Sequence, residues 1–158
     1  MIEGSVLSYL VMGLTPTLLL IEPAIDRLFR HRRGKRLYHK NKGHSTEALK
    51  KLDWKDFEHL CAGYFIKKGY SVQMSGLGGA DGGMDLILRR QGKKYLVQCK
   101  HWKSRVGVAV VREMFGVMHA EQFSGVFIVG LSGFTRDAWT WSAGKPIKLM
   151  DGKALLTC

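Results

Sequence analysis

Two short stretches of this 158-residue chain hold side chains with chemistry in prospect. One is Asp85, just after the glycine-rich run GLGGADGG at 76–83; the other is Gln98-Cys99-Lys100. A carboxylate, an amide oxygen and a lysine ammonium gathered in one place suit a hard cation with oxygen ligands and a phosphate substrate. Alternate side chains of a strand share a face, so Gln98 and Lys100 point one way while Val97, Cys99 and His101 point the other. The run at 76–83 has five glycines in eight residues and no bulky side chain. A large polymer could approach closely there, and the backbone amides could meet a phosphate.

The flanking sequence has to bring these groups together. MDLILRR and KYLVQCKHW read as two strands joined by the tight turn QGK, a hairpin over 84–102. Asp85, near the start of the first strand, then falls opposite the far end of the second, where Gln98 and Lys100 lie. Upstream, Asp53 is a candidate helix cap with Asp56 three residues on. Phe57, Leu60, Cys61, Tyr64 and Phe65 follow at helical spacing until Gly69, which predicts a helix over 54–68 with Glu58 beside its apolar stripe. YSVQMS reads as a short strand. Val108, Val111, Phe115 and Met118 mark one face of a helix reaching about Glu121. SGVFIVG reads as a strand covered on both faces, FTRDAWTWSAG as a helix and PIKLMDG as a last short strand. The expected fold is therefore α/β, in the order α-β-β-β-α-β-α-β, with a mixed central sheet flanked by helices.

The succession FEHLCAGYFIKKGYSV, GLGGADGGMDLIL, YLVQCKHW, helix and GVFIVG resembles the Mrr-type catalytic domain of the PD-(D/E)xK nuclease superfamily over roughly residues 53–152. The resemblance implies a restriction-endonuclease-like fold and hydrolysis of DNA phosphodiester bonds with Mg2+ or Mn2+. It makes Asp85 the metal-binding aspartate and Lys100 the motif lysine, and it matches Glu58 to the acidic residue of the first helix. Gln98 takes the position held by Glu or Asp in most of the superfamily, a departure usual in the Mrr branch. On this reading Asp85, Gln98 and the Cys99 backbone carbonyl hold the metal, with Glu58 reaching it through water. The metal lowers the pKa of a water and screens the phosphate, while Lys100 orients that water or stabilises the developing charge. Six residues follow Gly152, where such domains often continue, so the last helix is expected to be incomplete.

Other residues carry weaker signals. Asp81 reads as a second ligand or as a turn former beside Gly82. Gly79, Gly82 and Gly83 are candidate DNA contacts, although a conformational need explains them as well. Lys103, Arg105 and Arg112 follow the active strand and either track the DNA backbone or are scattered surface bases. His59, His101 and His119 have no metal-ligand spacing and read as structural or surface residues. Trp102, Trp139 and Trp141 could stack on bases, but read first as core.

Charge bears on the partner. The chain holds 25 Lys+Arg against 13 Asp+Glu, a formal +12, which favours nucleic acid or anionic lipid. Residues 27–42 hold eight basic residues and no acid; from 43 onward 17 basic residues face 10 acidic ones, a net +7. Cys61, Cys99 and Cys158 are odd in number and show no zinc-ligand spacing, which fits reduced thiols in a cytoplasmic setting.

Gly4 to Ile21 is uncharged, and 18 helical residues reach roughly 27 Å, near the lower limit for spanning a bilayer. The basic cluster follows this apolar run instead of preceding it, contrary to a secretory leader. The positive-inside rule then puts Arg27, Arg30, Arg32, Arg33, Lys35 and Arg36 in the cytoplasm. The sequence thus divides into a hydrophobic helix, a membrane anchor, at 1–26 with its core at 4–21; a basic juxtamembrane stretch and linker at 27–52; and the nuclease-like domain at 53–158. A buried or interfacial helix is the other reading of 4–21. The expected partners are DNA, the membrane and a second copy of the chain. The leading functional expectation is a membrane-tethered DNA endonuclease acting in defence against foreign or modified DNA. The alternatives are a non-catalytic nucleic-acid-binding module of the same fold and a nuclease for repair, junction resolution or RNA.

Overall fold

The computed structural model describes residues 27–75 and 84–157. A helix over 27–41 (α1) leads through the short α2 (Thr46–Lys50) to α3 (Trp54–Lys67) and the strand β1 (Ser71–Met74). Then come β2 (Leu86–Arg90), β3 (Lys93–Lys100), α4 (Val108–Ala120) and β4 (Gly125–Gly130), followed by α5 (Arg136–Ser142), β5 (Ile147–Asp151) and α6 (Gly152–Leu156). Asp53 caps α3 as its position predicts, accepting the Asp56 N–H at 2.7 Å.

The five strands lie in chain order, β1-β2-β3-β4-β5. β1, β2 and β3 are antiparallel to one another, whereas β3, β4 and β5 run parallel. β3 is thus the central strand at which the sheet changes type. The predicted hairpin forms, and Gln91 and Gly92 turn it with φ of 50° and 73°, the left-handed pair that a two-residue connection requires. All six residues of β4 are buried, as its unbroken apolar run predicts.

Alternation along β3 divides the core. Val97 and Cys99 join Phe57, Leu60, Cys61 and Phe65 of α3, with Phe127 and Val129 of β4. Leu96 joins Val111, Met114 and Met118 of α4, with Val126 and Ile128 of β4. The result is the expected mixed sheet between two helical layers. Two short helices, α2 and α6, lie outside the predicted order of elements; Leu49 of one and Leu155 of the other are fully buried in the α3-side core.

Three expectations change. The stretch expected to be a linker is helical over 27–41 and packs on the domain. The reason is a close crossing of two glycines. A Cβ on Gly63 would collide with the Gly34 carbonyl, and one on Gly34 would lie 2.7 Å from the His59 carbonyl oxygen. Gly34 therefore allows an approach and does not break the helix, while Leu37, Tyr38 and Asn41 continue the same face at helical spacing. Tyr38 is buried, His31 Nε2 donates to the Val72 carbonyl at 2.9 Å, and Arg33 pairs with Asp56 at 2.5 Å.

Second, α5 is shorter than the predicted segment because Thr135, whose side chain accepts from the Ala138 N–H, starts it there. Third, Trp102 and Trp139 are exposed and not in the core, although Trp141 does pack against the α4-side core. The apolar segment at 4–21 and the glycine-rich run at 76–83 lie outside the described residues. Among the described residues no helix is long and apolar enough to cross a membrane.

Candidate metal centre

Leu86 faces Val97 across the hairpin, and one step further the same register sets Asp85 opposite Gln98. The Asp85 N–H still donates to the Val97 carbonyl at 3.0 Å, so Asp85 is held by the ladder although it precedes the strand. Its other neighbour is Ser75, whose N–H donates to the Asp85 carbonyl at 3.0 Å and whose hydroxyl donates to the Met84 carbonyl. Ser75 and Met84, which flank residues 76–83, are thus held beside each other.

One carboxylate oxygen of Asp85 accepts twice, from the Cys99 N–H at 2.5 Å and from Gln98 Nε2 at 2.6 Å. Gln98 is only 4% exposed. Its Nε2 also lies 3.4 Å from the Cys99 carbonyl oxygen. An amide NH2 therefore sits where a carboxylate and a carbonyl converge, a position favourable to positive charge. A half-turn about the terminal torsion of Gln98 would present Oε1 there instead of Nε2.

The electrostatics lean the same way. Burial pushes Asp85 up to about 6, against the opposing pull of the Cys99 N–H, the Lys100 ammonium and the Gln98 amide. Glu58, half-buried on α3, is pushed up to about 7 by burial and then by repulsion from Asp85, with Lys55 pulling it back only partly. Two carboxylates that repel in a partly desolvated place are short of positive charge, and Lys100 supplies part of it. The Lys100 ammonium lies 5.0 Å from the centre of the Trp102 ring.

The donors present fit a divalent cation such as Mg2+ or Mn2+. Asp85, the Gln98 amide and the Cys99 carbonyl offer hard oxygens, with Glu58 as a further carboxylate nearby. The Cys99 thiol does not belong to the set. It faces the α3 core, and hydrogen bonding to Cys61 together with burial pushes it well above the ordinary thiol value. Among the described residues no three His, Cys, Asp or Glu side chains cluster in a way that could hold a metal, so such a site must draw on the neutral oxygens.

The fold therefore gathers Asp85, Gln98, Cys99, Lys100 and Glu58 in one neighbourhood. It does not bring every candidate there. Arg112 lies 5.8 Å from the Trp141 ring, on the α4 side. Lys103 and Arg105 line a separate crevice. Gly79, Asp81, Gly82 and Gly83 lie outside the described residues. Of the three histidines, His101 Nε2 donates to the Leu49 carbonyl at 3.0 Å and packs on Phe57, His59 Nδ1 donates to the Lys55 carbonyl, and exposed His119 packs its ring on Phe115 at the surface.

Lys50, Arg136 and Lys153 line the same crevice as Lys103 and Arg105 and have no counterpart among the sequence candidates, whereas Trp139, which also lines it, is one of the three indoles that could stack on bases. The three cations come from α2 near the start of the domain and from α5 and α6 near its end, and no local pattern marks them.

A family model described as "Restriction endonuclease" (Mrr_cat) matches residues 49–158. No curated protein matches the chain. Among solved structures the chain is similar to one described as "Crystal Structure of Protein of Unknown Function AF1548", with a TM-score of 0.53 and 17% identity. The match covers 63% of this chain and 62% of that one, and at this identity it speaks for the fold alone.

Proposed function

We propose that this chain, which belongs to the restriction endonuclease family and carries its nuclease domain, hydrolyses DNA phosphodiester bonds with a divalent cation held by Asp85, Gln98 and the Cys99 carbonyl. The observation that carries the proposal is the convergence of Gln98 Nε2 and the Cys99 N–H on one Asp85 oxygen, at 2.6 and 2.5 Å, beside Glu58 and Lys100. A bound Mg2+ or Mn2+ would supply Lewis acidity and make water a better nucleophile near neutral pH.

The chain's own groups have distinct parts in this reading. The Cys99 N–H holds one oxygen of Asp85, and the other would be left for the cation. Gln98, buried at 4% exposure, would contribute a neutral oxygen once its amide is turned. Lys100, the last residue of β3, carries fixed positive charge for the phosphate as negative charge develops. Glu58, with its raised pKa, can take up the proton that the attacking water loses or hold that water in place.

The test is cleavage of supercoiled plasmid by the full chain in mild detergent with Mg2+, with Mn2+ and with EDTA. The wild type should nick or linearise the plasmid only with metal, and Asp85→Ala and Lys100→Ala should leave it intact while still binding it. Equal loss of supercoils in all three proteins would defeat the assignment. An intact plasmid with all three would favour a binding module.

The setting is proposed from sequence. Residues 4–21 would anchor the chain with the nuclease on the cytoplasmic side, in defence against foreign or modified DNA. The basic residues of α1, flanking Leu28 and Phe29 at 50% and 63% exposure, would suit an anionic membrane surface. Carbonate extraction should leave the full chain in the membrane pellet, and its release into the supernatant would rule out a spanning segment.

A further inference from the structure

Parallel strands β3, β4 and β5 end side by side at Lys100, Gly130 and Asp151, and a crevice of about 780 Å³ opens beyond those ends. Crevices outside the carboxyl ends of parallel strands are common ligand sites. The walls are stitched to the candidate metal centre: the Leu131 N–H donates to the Lys100 carbonyl at 3.0 Å, and the Ser132 hydroxyl donates to the Trp102 carbonyl at 2.8 Å.

Five cationic side chains line this crevice: Lys50, Lys103, Arg105, Arg136 and Lys153. Among the described residues its one acidic lining residue, Asp151, is committed to the fold, with its carboxylate accepting the Ala154 N–H at 2.9 Å to cap α6. Lys50 is paired with exposed Glu47 at 2.6 Å, a contact that solvent screens. The volume falls in the range that holds a ligand larger than a lone anion, about 300–1,000 Å³.

Trp139 also lines the crevice and is 49% exposed, held in place by Phe134 with ring centres 5.6 Å apart. A duplex offers phosphates to the cations, but its bases are stacked on one another and have no free face for an indole. An unpaired base does.

We propose that this crevice holds an unpaired stretch of DNA, with its phosphates on Lys103, Arg105, Arg136 and Lys153 and a base stacked on Trp139. The preferred substrate is then a duplex adjoining a single strand. This rests on the nuclease reading only in taking the neighbouring duplex to be the one presented to Asp85.

The experiment measures binding without cleavage. Fluorescence anisotropy, with the full chain in mild detergent and EDTA, compares a blunt DNA hairpin with the same hairpin bearing a short single-stranded overhang. The overhang should tighten binding about tenfold or more. Trp139→Ala should abolish that gain and leave the blunt affinity unchanged, and Trp139→Phe should keep most of it. The double variant Arg136→Glu with Lys153→Glu should reduce the gain and its salt dependence. Equal affinity of the wild type for the two hairpins would overturn the proposal, as would Trp139→Ala weakening both alike. Because no catalysis is read, a failed plasmid assay with an intact overhang gain defeats only the nuclease reading. Cleavage without that gain defeats only this proposal.

Discussion

The candidate metal centre and the crevice beyond the parallel strands share one strand, β3, yet they are built in opposite ways. At the metal centre, acceptors converge on a half-buried spot and burial holds two carboxylates above their usual range. In the crevice, cations spread over an open surface around an exposed indole. Desolvation creates a demand for a tightly held cation in the first, whereas the second suits a long, loosely held polyanion. The change from antiparallel to parallel pairing at β3 sets them side by side: the hairpin brings Asp85 to Gln98, and the parallel half sends two loops and the start of α6 off one edge.

Kinetics sharpen this contrast most strongly. Lys100→Ala should lower kcat about 10²–10³-fold with little change in KM, because its charge is wanted only as negative charge develops. Arg136→Glu should instead raise KM on overhang-bearing DNA and leave kcat near wild type. Steady-state rates at low and saturating DNA separate the two.

A change in packing should touch one region and spare the other. Gly63→Ala forces α3 away from α1, since its Cβ would meet the Gly34 carbonyl. It should cost about 1–3 kcal/mol in denaturant unfolding. Glu58 on α3 should shift with it, so cleavage should fall even where the protein remains folded, while the overhang gain in binding persists.

The smallest effect is a pH dependence confined to the metal centre. Without metal, Glu58 at about 7 and Asp85 at about 6 hold protons in the folded state more tightly than their ordinary values of 4.5 and 3.8 would allow. The folded state then binds more protons than the unfolded one between about pH 4 and 7, so stability is greatest at the acid end of that window and declines as pH rises through the folded values. Melting temperatures in EDTA should fall from pH 5 to 8, and Glu58→Gln or Asp85→Asn should flatten that slope. Mg2+ should reverse it by favouring the charged carboxylates.

Much of this was legible beforehand, where the signal is local. The Asp53 cap, the tight turn at QGK, which proves one residue shorter because Lys93 joins β3, the apolar run of β4 and the alternation that pairs Gln98 with Lys100 all depend on near neighbours. The meeting of Asp85 with Gln98 followed from hairpin register alone. The part of Glu58 came from family resemblance, because no local rule says which face of α3 approaches Asp85. The packing of α1 was not legible: Gly34 resembles a linker glycine until Gly63 is set against it. The crevice was invisible for the same reason, its cations being contributed by loops and short helices that only the sheet brings together. Trp102 and Trp139 misled because an indole in sequence gives no sign of whether its large apolar surface is covered.

Whether the Asp85 cluster is a cation site is decided by Mn2+ titration of the full chain followed by electron paramagnetic resonance, in parallel with Asp85→Asn. The wild type should take up Mn2+ with loss of the free-ion signal, Mg2+ should displace it, and Asp85→Asn should bind at least tenfold more weakly. Indistinguishable Mn2+ binding by the two proteins would contradict the account.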